Sequence, residues 1–265
     1  MKALHRLKSW TVRQRLPVDD LLIRQPVREA TIALAYAVFF VLAAVMTGLL
    51  IRWRPIPLLG SASFTYDFWY SIVFKILLLL TIPLVWYYRQ GYKLSDLAPG
   101  WTWTPRNTVV LALAFFAGLS LNLLQGRLDL VIGGVPGFTV GERAVRLSAG
   151  VVMPFLIAGF PEEFVYRGFL QTRLEKVWGR FAAITVSVLL FTAWHIPTRY
   201  LLAHGVEGSA GDLSSVILGT GVPVLIVGSV FALLWDRYRN LPALIAAHWG
   251  VDVLPAMISF LGIDY

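Results

Sequence analysis

The stretch GFPEEFVYRGF, residues 159–169, sets two adjacent carboxylates and an arginine directly behind the apolar run VVMPFLIAG, residues 151–159. Charges in such a position are expensive unless they serve a polar interior, so their surroundings decide how the chain is read. Of its 265 residues 57% are hydrophobic and only 14% charged, and its mean hydropathy is +0.69. That balance belongs to a chain whose solvent is largely lipid. Apolar windows long enough to cross ~30 Å of hydrocarbon, about 20 residues each, lie near 29–51, 65–88, 107–125, 147–170, 181–196, 214–235 and 242–262. The expected fold is therefore all-α, a polytopic membrane helix bundle with about seven transmembrane helices.

The Lys and Arg residues between these windows are unevenly shared. Segment 1–28 has seven, 89–106 three, 171–180 three and 236–241 two, fifteen on one side; the other side has two in 52–64, three in 126–146 and one in 197–213, six in all. Cytoplasmic loops retain basic residues, so the N-terminus is expected in the cytoplasm and the C-terminus outside, in a plasma-type membrane. This bias accounts for most of the net charge of +8, and no nucleic-acid partner is expected. The chain divides into a basic interfacial segment (1–28) suited to anionic headgroups, accessory transmembrane helices (29–146) and a polar-bearing helical core (147–262). With no cysteine in the sequence, disulfides, thiol catalysis and cysteine metal sites are excluded.

Within the first three windows Lys75 is the costliest residue. It is read as snorkelling or paired with a carboxylate and is assigned no chemistry. From residue 147 onward ionisable residues enter the windows in three places: Glu162, Glu163 and Arg167; His195; and His248 with Asp252. Glu163 and Arg167, Phe191 and His195, and His248 and Asp252 are each four apart, so each pair shares one helix face. At ~1.5 Å per residue, Glu162, His195, His248 and Asp252 all fall about 9–21 Å below the cytoplasmic surface and can meet. Pro161 is positioned to start or restart a helix, with both glutamates in its first turn, and Pro197 to end the helix that carries His195.

The three patterns EEFVYR (162–167), FTAWH (191–195) and HWGVD (248–252), in this order, resemble the EExxxR, FxxxH and HxxxN or HxxxD motifs of the CAAX protease and bacteriocin-processing family, also called Abi-type membrane proteases. The resemblance covers about residues 147–256. It implies an intramembrane endopeptidase without a cofactor, acting on membrane-associated peptides or protein termini, prenylated or leader-bearing. By motif position it makes Glu162 the general base, His195 its partner in activating water, His248 and residue 252 the stabilisers of the oxyanion, and Glu163 with Arg167 the pair that shapes and neutralises the site. Many relatives carry Asn at the last position, whereas an ionised Asp252 only accepts hydrogen bonds; either Asp252 is protonated or it orients His248, and the orienting role is the expected one. A zinc-dependent protease is the alternative within catalysis, with Glu162, His195 and His248 as three ligands and one position open for water; the sequence lacks the HExxH spacing of such enzymes. A non-catalytic immunity or binding protein, or a proton-coupled transporter, is the alternative outside it.

Overall fold

The computed structural model describes residues 23–53, 70–98, 101–123, 127–133, 137–203 and 207–262. His5, His204 and most of the basic N-terminal segment lie outside the described residues. Among the described residues, besides a 3-10 turn at Leu94–Leu97, eight helices follow one another: α1 (Pro26–Trp53), α2 (Tyr70–Thr81 continuing as Ile82–Arg89), α3 (Pro105–Leu123), α4 (Arg127–Gly133), α5 (Val140–Trp178), α6 (Arg180–Leu202), α7 (Leu213–Tyr238) and α8 (Leu241–Phe260). Among the described residues there is no strand, and α1, α3, α5, α6, α7 and α8 are long and apolar enough to cross a bilayer. The fold is the expected all-α polytopic bundle of an integral membrane protein. The second expected window, 65–88, is covered from residue 70 onward by α2; residues 65–69 of that window lie outside the described residues.

Local signals set several boundaries. Thr139 and Glu142 form a reciprocal capping box at the start of α5. The Asp212 carboxylate caps α7 by accepting from the Ser215 amide, and the Asn240 side chain caps α8 by accepting from Ala243, with Pro242 in the first turn. Gly179, at φ 80°, separates α5 from α6 in a conformation that a Cβ disfavours.

Two boundaries read from proline are corrected. The backbone passes through Pro161 without a break, so α5 runs 39 residues, about 59 Å at ~1.5 Å per residue, and its ends extend beyond the hydrocarbon. Glu162 and Glu163 therefore sit in mid-helix and meet no free helix N-terminus. The segments on either side, Phe155–Gly159 and Glu163–Gln171, are π-wound, and the Phe160 amide donates to Phe155, five residues back. The wider turn gives the proline ring room and spares the carbonyls that a break would strand in lipid. Likewise α6 continues through Pro197 to Leu202.

Helix α5 is the centre of the bundle. Ser187 of α6 donates to the Tyr166 carbonyl, Gln171 donates to the Ala232 carbonyl of α7, and Trp235 of α7 donates to Thr172. On its other side α8 packs between α5 and α3. At the α3–α8 crossing a Cβ on Gly118 would stand 2.0 Å from the Ala247 carbonyl oxygen, and a Cβ on Gly250 2.0 Å from that of Phe115. Reciprocal glycines let the two backbones touch, which in lipid takes the place of hydrophobic drive. Gly250→Ala is expected to cost about 1–3 kcal/mol by overpacking. Thermal unfolding in detergent checks this against Gly141→Ala, where the added methyl meets nothing within 4 Å and the midpoint should stay within error of the wild type.

Candidate active site

Glu162 and Glu163 project from the π-wound middle of α5 and are 1% and 0% exposed. Glu162 lies at the junction of three other helices. Its Oε1 is 3.3 Å from Lys75 Nζ on α2, and its Oε2 is 4.0 Å from His195 Nε2 on α6 and 3.6 Å from His248 Nε2 on α8. The meeting of spans expected from helical depth is thus realised for the two histidines and Glu162.

Each histidine is held through its Nδ1. His195 Nδ1 is 2.7 Å from the Phe191 carbonyl oxygen, which can only accept, so Nδ1 carries a proton and Nε2 faces Glu162. A separation of 4.0 Å between a carboxylate oxygen and an imidazole nitrogen suits two groups that share one water molecule. His248 Nδ1 is 2.7 Å from Glu163 Oε1, while its Nε2 looks toward Glu162 Oε2 and, at 3.4 Å, toward Asp252 Oδ2. The expected orienting role of Asp252 is taken by Glu163. Asp252 is the most exposed member of the group, its side chain 33% accessible, and stands at the rim beside the nitrogen that faces the interior.

Behind Glu163 lies Arg167, wholly buried. Its Nη1 is 3.3 Å from Glu163 Oε1, its Nη2 donates to the Gly228 carbonyl of α7 at 3.0 Å, and its guanidinium stacks 4.3 Å from the centre of the Phe191 ring. The ring also meets His195 edge-on at 4.9 Å. Phe191 thus fixes both the arginine and, through its carbonyl, the histidine one turn on. Gly228 is a participant that sequence reasoning missed: a Cβ there would come 2.9 Å from the Phe191 ring, yet its contribution is a backbone carbonyl with no side-chain signature.

Lys75, expected to snorkel or to pair with a carboxylate, is 9% exposed, pairs with Glu162 and lies 5.3 Å from the centre of the Trp194 ring. Which carboxylate it meets was not legible in the sequence, because that partner is 87 residues away. Three carboxylates therefore gather with Lys75, Arg167 and two imidazoles in a largely buried site, where charges act with little screening. A metal ion at Glu162 would have to enter beside the Lys75 ammonium, and among the described residues no set of three or more His, Asp or Glu is arranged to hold one.

Comparison of the chain with curated proteins and with solved structures finds no match. Residues 144–254, which contain every one of these side chains except Lys75, match the family model described as Type II CAAX prenyl endopeptidase Rce1-like, in agreement with the family that the motifs resemble.

Proposed function

We propose that the protein hydrolyses peptide bonds of membrane-associated peptides or protein termini, with Glu162 as general base. The observation that carries this reading is one carboxylate facing His195 Nε2 at 4.0 Å and the buried Lys75 Nζ at 3.3 Å; the reading takes Nε2 as the acceptor. A water between Glu162 Oε2 and His195 Nε2 donates one proton toward each. As its oxygen attacks the scissile carbonyl carbon, one proton passes to Glu162, and the same proton later goes to the departing amine as the C–N bond breaks. Lys75 fixes the other carboxylate oxygen and keeps Oε2 aimed at the water. His248, held at Nδ1 by Glu163 and doubly protonated in this role, donates from Nε2 to the oxyanion, with Asp252 as a nearby counter-charge.

The family description makes a prenylated C-terminal tetrapeptide motif the first substrate to test, beside unprenylated and leader-type peptides. Purified protein is expected to cleave at least one of these, and exhaustive chelation should leave the rate unchanged, with less than one transition metal per chain. Stoichiometric zinc whose removal abolishes cleavage would turn Glu162, His195 and His248 into ligands. Inactivity on every peptide, together with proton-coupled transport in vesicles, would overturn the protease reading.

The basic-residue imbalance of fifteen to six supports a cytoplasmic N-terminus and an external C-terminus. Reporter fusions at residues 15 and 265 are expected to answer oppositely. Answers from the same side would require an even number of spans and sink this orientation.

A further inference from the structure

A second polar feature lies away from Glu162, between the first turn of α1 and the last turn of α2. A cavity of about 160 Å³ opens there, and three arginines, Arg24, Arg28 and Arg89, stand on its wall. All three are exposed. Among the described residues none of them pairs with a carboxylate: Arg24 Nη2 donates to the Gly91 carbonyl at 3.2 Å, and Arg28 Nη1 to the Gln25 side-chain oxygen at 2.9 Å, both neutral acceptors.

The one acid on the wall, Glu29, does not balance them. It is 4% exposed, and its Oε1 accepts from the Arg24 and Gln25 amides at 3.1 and 2.9 Å and from the Tyr92 hydroxyl. Its Oε2 accepts from Arg173 Nε of α5 at 3.2 Å. The Glu29 charge is thus compensated from inside the bundle by a wholly buried guanidinium, and the positive field of the three wall arginines is left facing outward.

The remaining wall is mixed, with Gln25 and Gln90 beside an apolar side. Ile32 and Trp86 line the cavity, and Val27 and Val85 stand exposed on the same two helix ends. A basic recess with an apolar side at the end of two membrane helices suits a ligand that is anionic at one end and greasy at the other. Guanidinium forks match phosphate oxygens in geometry as well as charge. We propose that this cavity binds the headgroup phosphate of an anionic phospholipid, whose acyl chains run down the Ile32 and Trp86 side. The site is separate from the hydrolytic centre and does not depend on the reading of Glu162.

The test uses the full chain in nanodiscs of phosphatidylcholine with or without phosphatidylglycerol, followed by thermal unfolding and by native mass spectrometry of retained lipid. Phosphatidylglycerol is expected to stabilise the wild type saturably. R28Q/R89Q should bind it more weakly by roughly tenfold or more, at about one charge's worth of surface attraction per arginine, while melting normally in phosphatidylcholine alone. K93Q/R237Q removes two exposed cations elsewhere and should behave as the wild type. Equal loss in both double variants would reduce the effect to general surface charge and overturn the proposal, as would undiminished binding by R28Q/R89Q. Inorganic phosphate that stabilises the lipid-free protein in neutral detergent as well as phosphatidylglycerol does would make the occupant a soluble phosphate and overturn the lipid assignment.

Discussion

Glu162→Gln is expected to lower the rate of peptide cleavage by roughly 10²–10⁴, the range by which a positioned general base accelerates such reactions. The amide is nearly the same shape and still reaches Lys75 and the water, but it cannot take a proton. Because the substitution also removes the counter-charge of a buried ammonium at 3.3 Å, it carries a stability cost of its own, and a fall in melting temperature accompanies the fall in rate. The second variant Glu162→Gln/Lys75→Met separates the two effects. Removing the stranded ammonium should return most of the lost stability and none of the lost rate. Measured kcat and melting temperature for both proteins give the decision: recovery of the rate in the double variant would make Glu162 a mere counter-ion to Lys75, and the base would have to be sought elsewhere.

The polar group around Glu162 was legible in the sequence to the extent that it is a violation of the local pattern. Glu162, His195 and His248 are polar residues in apolar windows, and lipid gives such residues no cheap place to go. Lys75 violates the pattern as plainly, yet it was assigned no role, because helical spacing reveals partners four residues away and not one on another helix. The same limit hid Gly228, which acts through its carbonyl. Asp252 was read as the residue that orients His248 because an ionised Asp only accepts hydrogen bonds; Glu163, on a different helix, comes closer, at 2.7 Å against 3.4 Å. The prolines misled for a different reason. Rules that end helices at Pro161 and Pro197 assume water to satisfy the freed backbone, and within a bilayer continuing the helix with a widened turn costs less. The helical bundle itself was readable from composition and window length alone, since lipid leaves few other ways to satisfy the backbone.

Arg167→Ala is expected to act chiefly on stability. It deletes the charge 3.3 Å from Glu163, the donor to the Gly228 carbonyl and the ring-stacked guanidinium on Phe191, all inside a wall with no exposure to solvent. Breaking a buried ion pair in this way costs about 3–5 kcal/mol, most of it the penalty of the charge left behind. For a chain of this size that corresponds to a drop of roughly 6–20 °C in melting temperature. Glu163 keeps one partner in His248 Nδ1 at 2.7 Å, so the imidazole should stay attached and part of the hydrolytic rate should survive in the molecules that remain folded. Arg167→Lys retains the charge but loses the fork that reaches Glu163 and Gly228 together, and should fall between the two. Adding Glu163→Gln to Arg167→Ala removes the stranded carboxylate; it should restore melting temperature while lowering the rate further, because His248 then keeps only a neutral, weaker acceptor in place of the carboxylate that holds its Nδ1–H. An Arg167→Ala protein that melts like the wild type but has lost all activity would reverse this assignment and put the guanidinium itself in contact with the reacting groups.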